Sequence, residues 1–226
     1  MVRGDGAPHK SGVGVLDKAV AVLDAVAAAD QPCSLAELVA VTGISRATAH
    51  RLAVALEGHG LLRRVGDGRF ALGFRLVGLG HAAAAGWPLA EAARPALERL
   101  RTDTGESVQL YVRDGDRRVC LVSLESPHEL RTIVAEGSAL PLGVGSAGRI
   151  LMGERSPTGW TASHEERAPG VGSVSAPVHD RSAAVVAAVG ISGPVARIGA
   201  DAGERFGPAV VAAADAVAAT LPAAPT

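Results

Sequence analysis

Residues 34–59, Ser-Leu-Ala-Glu-Leu-Val-Ala-Val-Thr-Gly-Ile-Ser-Arg-Ala-Thr-Ala-His-Arg-Leu-Ala-Val-Ala-Leu-Glu-Gly-His, constrain the fold more tightly than any other stretch. Their apolar spacing predicts two short amphipathic helices about a glycine turn. Ser34 and Glu37 have the spacing of a capping box, in which the serine hydroxyl accepts from a backbone N–H and the glutamate reaches back to the cap. Leu35, Leu38 and Val39 form one apolar face, and Gly43 supplies the left-handed residue that ends the helix. Ser45 is placed to cap the next helix, where Ala49, Leu52, Ala53 and Leu56 make the buried stripe. Ser45, Arg46, Thr48, His50 and Arg51 are left at its start and on its outer side. A tight helix pair whose second helix carries such residues suits the major groove of DNA.

The next residues narrow the choice. Leu61 to Val65, the turn Gly66-Asp67-Gly68 and Arg69 to Leu72 read as two short strands about a glycine-rich tip. Arg63, Arg64 and Arg69 lie on this hairpin, the arrangement of a wing placed to touch phosphates beside the groove. An ordinary helical hairpin with a solvated face, followed by an ordinary charged hairpin, is the bland alternative. Charge distribution leans toward the first reading. Residues 1–75 hold 9 Lys+Arg against 7 Asp+Glu, whereas residues 76–226 hold 13 against 16, although the whole chain is at −1.

At 226 residues and 48% hydrophobic content the chain can build one large or two modest cores. Residues 1–12 read as a flexible tail and Val13 to Ala29 as a third helix of the first domain, which spans 13–73. Phe74 to Ala85 is predicted as a linker helix ended by Gly86-Trp87-Pro88, so the linker is 74–87. Its small residues Gly78, Gly80 and Ala82 to Ala85 would let two copies approach closely. The second domain, 88–221, opens with a helix over Leu89 to Thr102. Strands follow over Ser107 to Arg113 and Arg117 to Glu125, with a short one at Leu130 to Ala135. A helix is expected from Arg149 to Gly153, paired strands at Ser173 to Val178 and Ala183 to Ser192, and a closing helix at Phe206 to Leu221. This alternation argues an α+β domain.

The residue chemistry argues against catalysis and against metal. Cys33 and Cys120 have neither CxxC nor Cys/His spacing, so no disulfide framework and no zinc site is expected. Cys120, in Val119-Cys120-Leu121-Val122, reads as a buried strand residue. Cys33, just before a helix start, is open to a lowered pKa and a redox role. Gly143-Val144-Gly145-Ser146-Ala147-Gly148 matches GxGxxG, but Pro141 breaks the strand a dinucleotide site needs, and no cofactor is expected. The backbone N–H groups of that loop, at a helix start, suit a carboxylate. Leu142, Val144 and Val174 would take an aliphatic body, and Ser173 and Ser192 a polar end, with no cationic or aromatic cage in view. A small aliphatic acid or a branched amino acid is the expected ligand. Glu165-Glu166 reads as a solvated turn, and His164, His179, Ser173 and Ser175 form no triad by spacing. No run approaches the ~20 apolar residues of a membrane span, and Met1 to Asp5 has no signal-peptide pattern, so a cytoplasmic protein is expected.

Taken in order along residues 13–221, these segments resemble the IclR family of bacterial transcriptional regulators. The resemblance rests on the helix from Val13, on Ile44 to Leu52, and on the wing ending Phe70-Ala71-Leu72-Gly73. Further in it rests on Leu142 to Leu151, Pro169-Gly170-Val171, Ser175 to Val178 and Ile191 to Pro194. Within the family, residues 11–19 and 47–57 resemble the NdgR/AreB-type actinobacterial regulators, associated with leucine-biosynthesis genes and secondary metabolism. The resemblance implies a winged helix-turn-helix, a linker helix and a GAF/PAS-like effector domain, assembled as a homodimer or homotetramer on operator DNA. It places an effector pocket at Leu142, Gly145, Ser146, Ala147, Gly148, Ser173, Gly190 and Ser192. The chain departs from the family in polar contacts, with Ser163, Ser173 and Gly190 where an acid, a cysteine and a serine are often found. It also has only Gly153 to Gly170 where the family carries a longer, partly helical segment. A constitutive DNA-binding regulator that has lost sensing is therefore one alternative. An enzyme or small-molecule-binding protein with an incidental helical domain is another, though such a protein has no need of the basic hairpin.

Overall fold

A computed structural model describes residues 11–85 and 88–221, so all but two residues of the expected tail, and Gly86 and Trp87 at the linker's end, lie outside it. The chain divides into two compact units with their border at residues 87 and 88, which puts the predicted linker helix in the first unit.

In the first unit, α1 (Gly14–Ala27), α2 (Leu35–Thr42) and α3 (Arg46–Gly58) precede a hairpin of β1 (Leu62–Val65) and β2 (Arg69–Leu72), and α4 (Arg75–Ala85) follows. The capping box forms: the Ser34 hydroxyl accepts from the Glu37 N–H and the Glu37 carboxylate accepts from the Ser34 N–H. Gly43, at φ 67°, closes α2 with an N–H donated to the Val39 carbonyl. Ser45 does not cap α3 with its side chain; its hydroxyl donates to Thr48 Oγ1 at 3.0 Å instead. Val22, Leu38, Ala49, Ala53, Leu62 and Phe70 form the centre of the core. Cys33 pairs its backbone with Phe70 and is buried there. Burial pushes its thiol up from the usual range, with Glu37 adding to the effect, which removes the physical basis of the redox reading. Gly73 ends β2 against the Gly60 carbonyl, where a Cβ would collide with backbone.

The second unit is one six-stranded antiparallel sheet with helices on both faces. Its elements are α5 (Leu89–Thr104), β3 (Ser107–Asp114), β4 (Arg117–Leu124), β5 (Ala139–Pro141), α6 (Gly145–Leu151), β6 (Thr161–His164), β7 (Val171–His179), β8 (Val185–Pro194), α7 (Val195–Ile198) and α8 (Ala202–Ala218). The strand order is β5-β4-β3-β8-β7-β6. Long helices α5 and α8 cover one face, and Val108, Leu110, Val174, Val189, Ile191, Phe206 and Val210 fill the space between. The short helix α6 lies on the other face. No strand forms over Leu130 to Ala135, because residues 136–141 take the outer edge of β4: Cys120 donates to the Ser138 carbonyl, and Ser123 N–H to the Glu136 carboxylate. β6, β5 and α7 had no counterpart in the sequence reading. No helix among the described residues is long and apolar enough to cross a membrane, and no His/Cys/Asp/Glu group there is suited to a metal.

One irregularity decides what the second face carries. Leu110 pairs with Val122 but Tyr111 with Cys120, so Leu121 is an extra residue in β4. A one-residue bulge inverts the facing of everything before it. Val122 and Leu124 therefore join the core under α5, while Arg118 and Cys120 join Tyr111 on the α6 side.

Candidate functional site

On α3 the burial pattern separates two faces. Ala49, Leu52, Ala53 and Leu56 are buried, whereas Ser45, Arg46, His50 and Arg51 are exposed and Thr48 is half-buried. Arg46, His50 and Arg51 make no hydrogen bond or ion pair among the described residues, so three donors stand ready on one helix surface. The hairpin arginines differ from one another. Arg63 is exposed, its guanidinium 5.0 Å from the Phe74 ring centre. Arg64 is engaged with Glu57 of α3 at 2.9 Å and lies over Phe70. Arg69 donates to the Pro32 carbonyl at 3.1 Å and to Glu37 at 3.2 Å, and Asp67 is 3.6 Å away. Arg69 is thus a tie between the hairpin and α2, not a free cation.

The second unit holds a small cavity, open at its mouth, between the sheet, α6 and the loop from β6 to β7. Alternation along β3, β7 and β8 sends Gln109, Tyr111, Ser173, Ser175, Gly190 and Ser192 into it while their neighbours fill the core. Ser146 Oγ sits 2.8 Å from Ser173 Oγ and 2.7 Å from Ser175 Oγ, a relay of hydroxyls across the floor. The Ser192 hydroxyl donates to Gln109 Oε1 at 3.0 Å, which turns the Gln109 amide nitrogen away, buried and without a partner among the described residues. Arg118, 3% exposed, lies with its guanidinium 5.1 Å from the Tyr111 ring centre and donates to the Val144 carbonyl. Burial pulls Arg118 below the usual guanidinium range and pushes the Tyr111 phenol up, so Tyr111 stays protonated. Arg167 completes the basic side of the wall.

Two segments of the chain match known domains: residues 15–66 the IclR helix-turn-helix domain, and residues 81–158 and 154–219 the C-terminal domain of the bacterial transcriptional regulator IclR. The chain belongs to the IclR family. It is a DNA-binding transcriptional regulator of the IclR type, with an N-terminal helix-turn-helix and a C-terminal α+β domain. It is 25% identical to the Escherichia coli transcriptional repressor IclR over 246 aligned positions, which cover 92% of this chain and 90% of that protein. It is 31% identical to the Bacillus subtilis regulator KipR over 119 residues, 53% of this chain and 48% of KipR. Among solved structures, an IclR homologue from Microbacterium hydrocarbonoxydans complexed with 4-hydroxybenzoate superposes with a TM-score of 0.71 at 19% identity, covering 92% of this chain and 98% of that one. The alignment with E. coli IclR is longer than the chain itself, so the relative carries residues that this regulator lacks. The C-terminal domain matches in two pieces that meet at 154–158, inside the short segment between α6 and β6.

Of the residues that the IclR resemblance placed at a pocket, Gly145, Ser146, Ala147, Ser173, Gly190 and Ser192 line the cavity. Leu142 and Gly148 do not. Leu142 is buried in the small core under α6 with Ile150, and Gly148 is packed against Arg118 and the Leu142 carbonyl, which lies 2.6 Å from where its Cβ would be. The expected helix start is also corrected. α6 begins at Gly145, whose φ of 76° other residues reach at a cost, and the Gly145 N–H is already given to the Glu166 carboxylate at 3.0 Å. Glu166, exposed in the bend after β6, also pairs with Arg149 at 3.0 Å, so this solvated residue bridges the loop to α6. The expectation of a wall without cations fails on Arg118 and Arg167. Nor is the polar lining thinned: Ser175 stands against Gly190, where a side chain would collide with it, and Gln109 and Ser163 add further donors.

Proposed function

We propose that this regulator binds a pseudo-palindromic operator as a homodimer or homotetramer, and that a small carboxylate or amino acid in the C-terminal cavity modulates that binding. In this reading residues 13–73 contact DNA, 74–87 link and 88–221 sense. The exposed, unpartnered set Arg46, His50 and Arg51 on α3 carries the proposal, because its opposite face is fully committed to the core. Ser45, Arg46, Thr48 and His50 reach base edges from the first turns of α3, Arg51 lies beside them, and Arg63 contacts phosphate. Arg64 and Arg69 contribute to the field of the wing while holding its shape. Assembly through like copies is supported by the apolar residues left uncovered, Val15 at 64% and Leu16 at 53% on α1, and Val77 at 55% and Leu79 at 50% on α4. The resemblance of residues 11–19 and 47–57 to the NdgR/AreB type favours amino-acid metabolism or secondary metabolism as the regulated genes, with the cytoplasm as the site of action. The 4-hydroxybenzoate complex of the Microbacterium homologue supports a small acid as ligand. Sedimentation velocity at micromolar concentration, paired with footprinting on the DNA upstream of the coding sequence, tests the assembly. Dimers or tetramers protecting two half-sites about 10 base pairs apart, or a multiple of that, are expected. A monomer with undiminished specific binding would overturn it.

A further inference from the structure

Arg118 is a cation buried to 3% exposure, with no carboxylate within 4.0 Å among the described residues and its Nε without any hydrogen-bond partner. An unpaired buried charge is costly, so a counter-charge brought by a ligand would relieve that cost here. Arg167 faces the same cavity and also makes no ion pair among the described residues. The nearby Glu166 carboxylate favours the charge on Arg118 from a distance, but its ion pair is with Arg149 and it accepts from the Gly145 N–H, so it makes no direct contact with Arg118. The Gln109 amide nitrogen, fixed by Ser192 and otherwise unpaired, adds a third donor on the same wall. Against these donors the lining contains no aspartate or glutamate among the described residues.

We infer that Arg118, supported by Arg167 and Gln109, anchors the carboxylate of an amine-free organic acid, and that this wall discriminates against amino acids. The inference rests on the reading of the cavity as the effector site and narrows its ligand class. A free α-amino acid would bring an ammonium group beside two guanidinium groups, with only neutral oxygens to receive it. An oxo or hydroxy group at the same carbon instead accepts from Gln109 or joins the hydroxyl relay of Ser146, Ser173 and Ser175. The bulge at Leu121 is what delivers Arg118 to this wall.

The test is a matched pair of one carbon skeleton, 4-methyl-2-oxopentanoate and L-leucine, titrated calorimetrically into the full chain, with 4-hydroxybenzoate as a second acid. We expect both acids to bind, leucine to bind at least about tenfold more weakly than its oxo acid, and Arg118→Met to weaken the oxo acid by a similar factor. Arg118→Lys should recover part of that loss. Circular dichroism and ligand-free DNA affinity check that the variants fold, and Arg167→Met, on a half-exposed residue, serves if Arg118→Met does not. Leucine binding as tightly as the oxo acid, or full affinity in both arginine variants, overturns the inference while leaving the sensing role standing. If none of the three compounds binds at millimolar concentration or changes DNA affinity, the sensing role falls with it.

Discussion

Replacing Arg197 by methionine should destabilise the second unit by about 3 kcal/mol. Arg197 donates through Nε and Nη2 to the two oxygens of Glu106, at 2.6 and 2.7 Å, and through Nη1 to the Leu130 carbonyl at 2.8 Å. Glu106 is 2% exposed and sits where Gly193 has no side chain. Removing one partner of a buried pair costs about 3–5 kcal/mol, because the other charge is left without solvent or counter-ion. The Arg197 side chain is 27% exposed, so some water reaches the site and the lower end of that range applies. For a unit of this size the loss corresponds to about 6–12 °C in melting midpoint. Urea unfolding followed by circular dichroism should show a lower midpoint with an unchanged slope. The double variant Glu106→Gln/Arg197→Met should recover about 1–2 kcal/mol, since a buried neutral amide costs less than an orphaned carboxylate. A loss below about 1 kcal/mol in Arg197→Met, or a double variant no more stable than the single, would refute the reasoning.

Three further outcomes follow from the geometry. Arg69→Ala should lower the stability of the first unit, because it unties Pro32 and Glu37 from the hairpin, whereas Arg63→Ala should leave stability unchanged and reduce the salt dependence of DNA binding; thermal melting and salt titration of affinity separate them. Ser34→Ala should cost about 1 kcal/mol through loss of the cap. Ser34 holds the Glu37 carboxyl below the usual carboxylate range, a depressed folded pKa, so the cap's contribution is present above the ordinary carboxylate range and lost as pH falls through the folded value; the wild-type and Ser34→Ala unfolding curves should converge there. Cys120, pushed up to about 12 by burial, and Cys33, also raised by burial, should resist iodoacetamide at pH 8 in the folded protein, and rapid alkylation of either would show that its surroundings open.

The helix-turn-helix was legible because its determinants are local: a capping box, a left-handed glycine and a 3.6-residue apolar period all lie within residues 34–56. The hairpin at Gly66-Asp67-Gly68 and the strands on either side of residues 114–116 were legible for the same reason. The basic side of the cavity wall was not. Strict alternation back from Val122 and Leu124 assigns Arg118 to the core face, and only the bulge at Leu121, visible in the pairing with β3, turns it over. Leu130 to Ala135 has strand-like residues, but a strand needs a free edge, and residues 136–141 already occupy it. Cys33 precedes a helix start as expected, yet its backbone pairing with Phe70, 37 residues on, buries the thiol that the local reading left open.

The most direct test of the central claim is the ratio of affinities for the operator and for a random duplex of equal length, measured at one salt concentration for the wild type and Arg46→Ala. Wild type should favour its operator by at least about 10³, and Arg46→Ala should lose about 1–3 kcal/mol on the operator and almost nothing on random DNA. Equal affinity of the wild type for both duplexes, or equal loss on both in the variant, would contradict base readout by the start of α3.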